Sequence, residues 1–168
     1  MVRKESVLGT SLRMRRVASG EVAKGVDRLE SAFAETLEDE TYRREAGAGV
    51  LRDLGENWQM VNVLLTGEDF PATGTEFLPV LGGHHVATTG GPRNVLLVLP
   101  PDLVRTTAGF LAGADTDALL ARNRSKPRVV GGAPDWMVDQ LVARVEAMRP
   151  FYREAASAGQ AVTKRVYG

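Results

Sequence analysis

The run RNVLLVL, Arg93 to Leu99, constrains the fold more than any other segment, because prolines close it at both ends: Pro92 before, Pro100 and Pro101 after. A short, near-continuous apolar run between such breakers reads as a strand covered on both faces. It is expected near the middle of a sheet, so elements must pack above and below it. At 168 residues the chain can supply them within one domain, 1–168, since a domain of that size buries about two-thirds of its unfolded surface without disulfide or metal staples.

The flanking patterns provide the covering layers. Ser11 to Val17 alternates Leu12 and Met14 against Arg13 and Arg15, a strand with one apolar face. Ser19 is placed to cap a helix whose stripe is Val22, Val26, Leu29, Phe33 and Leu37. The charged, then Gly/Ala-rich stretch Glu38 to Gly49 reads as a loop or a poorly formed helical extension. A second helix is predicted through Leu51, Leu54, Trp58, Val61 and Leu65, stopped by Gly67. Between Glu68 and Pro92, prolines and glycine pairs break the chain into short pieces, and Phe77 to Leu81 reads as a short strand or loop.

Pro101 opens a third helix through Val104, Ala108 and Leu111, and Asp115 or Thr116 caps a short turn to Arg122. The longest helix starts at Pro134, buries Leu141, Val145, Met148 and Tyr152, stops at Gly159 and is expected to kink at Pro150. Gln160 to Tyr167, rich in Val and Thr, closes the chain as a strand. The expected class is α+β: one mixed sheet packed against several helices, covered by those containing Leu29, Trp58 and Leu141.

Composition removes whole classes of function. The chain has no cysteine, which excludes disulfides, thiolate metal sites and cysteine nucleophiles. Its 21 basic and 21 acidic residues leave no net field to draw it onto phosphate backbones or anionic lipid, so nucleic acid is not expected as the main partner. No apolar stretch suits a signal peptide or a membrane span, and the expected location is the cytoplasm. The preference for Arg over Lys, with abundant Ala, Gly and Val, is what a GC-rich bacterial genome encodes.

Five segments together carry a resemblance: SLRMRRVASGEVAKGV, ENWQMVNVLLTG, VLGGHH, GGPRNVLLVLPPDLV and WMVDQLVARVEAMRPFYREAASAGQAV. Their order over nearly the whole chain resembles the YfbM-like family of small bacterial proteins, a domain of unknown function. The resemblance implies a mixed sheet with helices packed on it and no assigned activity. Family members often carry histidine in the helix of Trp58, around the positions held here by Gln59 and Asn62, so no role transfers through those residues.

The polar and glycine-rich region Gly82-Gly83-His84-His85, followed by Gly90-Gly91-Pro92-Arg93, is the densest candidate site. Such a loop can offer backbone N–H groups and a cation to an anion, yet it matches neither the phosphate-loop nor the dinucleotide spacing, and an inter-strand turn is the simpler reading. Adjacent residues of an extended segment point to opposite faces, so His84 and His85 cannot grip one metal without carboxylates such as Asp69 or Glu76; no metal site and no cofactor is predicted. Trp58 is expected in the core, or else as a pocket wall with Asn62 one turn along. Trp136 is placed to cap the core or to sit at an interface.

Arg122, Arg124, Lys126 and Arg128 form a local basic patch, simplest as solvated charge. With no recognisable catalytic signature, the chain reads as a binding protein for a protein partner or a small molecule, an immunity or self-resistance role being compatible. The competing reading is a cofactor-independent enzyme in which His84 or His85 moves a proton while Arg93 or Asn62 orients a polar substrate. Oligomeric state is left open.

Overall fold

The α+β class holds in the computed structural model, which describes residues 10–35, 38–68, 74–88, 94–123, 126 and 133–167. Five strands, β1 (Ser11–Val17), β2 (Leu51–Gly55), β3 (His84–Val86), β4 (Val95–Leu99) and β5 (Ala161–Tyr167), form one sheet in the order β2-β1-β5-β4-β3. The expected mixed sheet is corrected, because all four described pairings are antiparallel. β1 and β2, like β4 and β5, are joined through several helices rather than by the single crossover helix that sets strands parallel, and each partner returns in the opposite direction. Val95–Leu99 is flanked on both sides and buried on both faces as expected, but the central place belongs to β5, which pairs along its length with both β1 and β4.

The larger core lies on one face. There Leu12 and Met14 of β1, Leu99 of β4 and Val162 and Val166 of β5 pack under α4 (Trp58–Thr66), α5 (Pro101–Gly113), α6 (Thr116–Asn123) and α7 (Asp135–Ser157). On the opposite face, Leu96 and Val98 are covered by Leu29 and Phe33 of α2 (Val26–Glu35). Arg13, Arg15 and Arg165, which alternate onto that second face, are each neutralised there. Arg13 pairs with Asp53 at 3.1 Å, Arg15 with Glu45 at 2.9 Å and Arg165 with Glu30 at 3.2 Å.

Several boundaries differ from the sequence pattern for local reasons. The helix predicted from Ser19 is broken into α1 (Ser19–Val22) and α2 by Gly25, at φ 94°, and Leu37 lies outside the described residues. Glu38 to Gly49 is largely a helix, α3 (Asp39–Gly47), although none of its residues is fully buried. Leu51 and Leu54 belong to β2, not to the following helix: the edge pairing with β1 satisfies that backbone, and α4 starts only at Trp58. Gly67, at φ 76°, ends α4 as predicted. Phe77 to Leu81 is not a strand; it follows from a 3-10 turn, Thr75–Phe77, into further turns.

α7 runs unbroken through Pro150. One residue earlier, Arg149 donates to the carbonyls of Leu111 and, at 2.7 Å, Ala114, which fastens α7 across the C-terminal end of α5. Among the described residues, no helix is long and apolar enough to cross a membrane.

Candidate functional site

The structure does not bring the sequence candidates together. His84 and His85 are both exposed on β3, an edge strand, opposite Val98 and Leu97 of β4. Arg93 lies outside the described residues, as do Asp69, Gly90, Gly91, Arg124 and Arg128. Trp58 and Asn62 are core residues of α4, at 6% and 1% exposure, which matches the first reading of Trp58. Trp58 Nε1 and Asn62 Oδ1 nevertheless lack hydrogen-bond partners. Trp136 stands 58% exposed at the start of α7. Among the described residues, no group of three or more His, Asp or Glu side chains is placed to share a metal ion.

Gly82 and Gly83 have an architectural task that the sequence did not reveal. Lys164, in the middle of β5, is fully buried between Met14 and Leu97 of the neighbouring strands. Its Nζ donates to Leu78 O and, at 2.8 Å, to Gly82 O, while Tyr152 Oη donates at 2.6 Å to Pro79 O. Burial pushes the Lys164 amine well below its ordinary range and the Tyr152 phenol above its own. Two acceptors suit a neutral amine, which has two N–H donors; an ammonium would keep a third donor buried without a partner. The turn from Leu78 to Gly83 is thus fastened from beneath by two buried side chains.

A recess for a ligand lies elsewhere, at the free edge of β2. A groove of about 180 Å³ is bounded by Tyr42 and Ala46 of α3, Arg52 and Asp53 of β2, and Arg144 and Met148 of α7. Arg52 shares the Met14 face of the sheet, whereas Asp53 pairs in register with Arg13 on the other. Asp53 is already engaged, its carboxylate accepting from Arg13 Nε at 3.1 Å, Tyr42 Oη at 3.4 Å and Gly55 N at 2.7 Å. Burial and the Asp53 charge raise the Tyr42 phenol above its usual value, so it stays a donor at neutral pH.

The two remaining cations have no such relief. Neither Arg52 nor Arg144 has an acidic partner among the described residues, and each keeps a buried nitrogen, Arg52 Nε and Arg144 Nη1, without an acceptor. Arg144 is seated against Gly55, where a Cβ would stand 3.2 Å from Nη1. A second groove, about 360 Å³, is lined by Glu76, Phe110, Asp115, Leu119 and Arg122 among others. None of its lining residues has a buried polar atom without a partner, and Asp115 is engaged as the cap of α6, accepting from Ala118 N at 3.0 Å. Neither groove is lined by His84, His85, Trp58 or Asn62.

Residues 8–164 match the family described as Domain of unknown function (DUF1877). The chain belongs to that family. Among solved structures, the DUF1877 chain is similar to a protein of unknown function, YfbM from Escherichia coli, at a TM-score of 0.58 and 18% identity, covering 93% of this chain and 99% of that one. At that identity the likeness shows the fold alone. No curated protein matches.

The residues of this DUF1877 member that sequence reasoning passed over had a visible signal. Lys164 alternates in phase with Val162 and Val166, and Arg144 lies three residues after Leu141 and four before Met148, within the apolar stripe of α7. A charge in phase with an apolar face is the informative exception to hydrophobic patterning.

Proposed function

We propose that this protein binds a small molecule in the groove between α3, β2 and α7 and performs no chemistry on it. The observation that carries the reading is a recess walled by a carboxylate that already accepts three hydrogen bonds and by two guanidinium groups with no acidic partner among the described residues. Hydrogen bonds to a charged group contribute roughly 1.5–3 kcal/mol each, so a ligand that reaches these guanidinium groups gains correspondingly. The enzyme reading rests on the two histidines as acid-base groups, and these lie on an exposed edge strand outside the groove.

The test is a double variant, His84→Ala with His85→Ala, followed by NMR mapping with a library of small polar compounds. Compounds that perturb the amides of Tyr42, Arg52, Gly55 and Arg144 in the wild type are expected to do so equally in the variant. Perturbations centred on β3 that vanish with the histidines would overturn the reading and revive a catalytic one.

A further inference from the structure

We infer that the groove is an oxyanion site, with Arg52 and Arg144 converging on the oxygens of one small carboxylate or phosphate ligand. The inference rests on the groove being a ligand site and names the ligand's chemistry.

The first support is the inventory of donors and acceptors. Arg52 and Arg144 offer only N–H donors, and the Tyr42 hydroxyl is committed to Asp53. The Asp53 carboxylate, the acidic group on the wall, has its oxygens occupied by Arg13, Tyr42 and Gly55. A ligand entering the groove therefore meets two guanidinium groups with no acidic partner among the described residues and one carboxylate that already accepts three hydrogen bonds, the arrangement that an acceptor-only group completes.

The second support is charge. The ion pair of Arg13 with Asp53 cancels locally, which leaves the guanidinium charges of Arg52 and Arg144 without a carboxylate among the described residues, in a chain whose net charge is zero. Elsewhere the arginines of the inner and second sheet positions, Arg13, Arg15, Arg16 and Arg165, each have a carboxylate at 3.2 Å or less. A half-buried guanidinium without one is the exception among the described residues. Its planar fork matches carboxylate and phosphate alike.

The third support is size. A recess of about 180 Å³ is smaller than the about 300 Å³ at which drug-sized ligand pockets begin. It suits inorganic phosphate or a short dicarboxylate better than a whole nucleotide.

The test is calorimetric titration of the intact protein with inorganic phosphate, with malonate and with neutral glycerol, each at low salt. The two anions separate phosphate from carboxylate selectivity. The wild type is expected to bind at least one anion with one-to-one stoichiometry and to ignore glycerol. Arg52→Gln and Arg144→Gln should each weaken that binding by about tenfold to a hundredfold, the loss of one charge-assisted hydrogen bond. Arg144→Lys should recover part of it, and Arg105→Gln, an exposed change on α5, should leave it unaltered.

Melting curves of the variants without ligand establish that they fold, and the lysine variant serves should Arg144→Gln not. Equal anion binding by the wild type and the two glutamine variants would overturn the inference, as would the absence of any binding of either anion at millimolar concentration. In both cases, a neutral compound whose NMR perturbations map to the groove leaves the ligand-binding reading standing. If no compound perturbs the groove, both fall.

Discussion

Lys164→Ala is expected to be among the most destabilising single substitutions in the chain, by about 3–5 kcal/mol, because it combines a core cavity with two buried carbonyls left unpaired. The side chain is fully buried beneath the turn, and its amine serves both Leu78 O and Gly82 O. Lys164→Met keeps most of the volume and should cost less, since only the hydrogen bonds are lost. Urea denaturation at pH 7 measures both. Near-equal stability of the wild type and the alanine variant would show that the amine does not fasten the turn.

Proton linkage gives the same group a pH signature. The native amine titrates well below 10.5, so between its native and unfolded values the unfolded chain binds a proton that the native protein does not. Unfolding free energy therefore rises with pH across that window and levels off above it. The wild type should gain stability relative to Lys164→Met between pH 7 and about pH 9.5, just below the ordinary tyrosine range. Above that the absolute stability of both proteins should fall together, because burial raises the Tyr152 phenol and the unfolded chain alone then releases its proton, while the difference between them levels off.

The second large effect is expected at Gly82→Ala. A Cβ there would stand 2.4 Å from Leu78 Cα and 2.8 Å from Leu78 Cδ2, so backbone and not merely a flexible side chain would have to move. Overpacking of this kind costs typically about 1–3 kcal/mol and more where backbone is displaced. The displaced residues are the two whose carbonyls hold Lys164, so Gly82→Ala and Lys164→Met should be strongly non-additive in a double-mutant cycle. Additive effects within about 0.5 kcal/mol would mean that the turn and the buried lysine are independent.

Much of the fold was legible because period and punctuation agreed. Prolines at the start of α5 and before α7, glycine after α4, alternation of Leu12 and Met14 with arginines in β1, and the Val and Thr content of β5 pointed to those elements. Two misreadings came from short segments where period does not discriminate. Leu51 and Leu54, three apart, fit a helix as well as a bulged edge strand, and α3 has no buried stripe to announce it.

Strand order was hidden for a different reason. Whether β4 or β5 lies in the middle depends on long-range pairing, and the apolar run of β4 outweighed the Lys and Arg of β5, although β5 is the strand buried at its first four residues. The site was less legible still. Histidines and glycines drew the reading to the Gly82 turn, whose role is to close over Lys164, while the groove is assembled from α3, β2 and α7, far apart in sequence.

Among the described residues Arg52 and Arg144 have no acidic partner, and arginine side-chain NMR observes their guanidinium groups directly. On titration with phosphate or malonate, the Nε–Hε resonances of Arg52 and Arg144 are expected to shift and to become protected from solvent exchange, while those of the paired Arg15 and Arg165 stay in place. Unchanged Arg52 and Arg144 resonances, with shifts spread over exposed arginines instead, would contradict an oxyanion site in the groove.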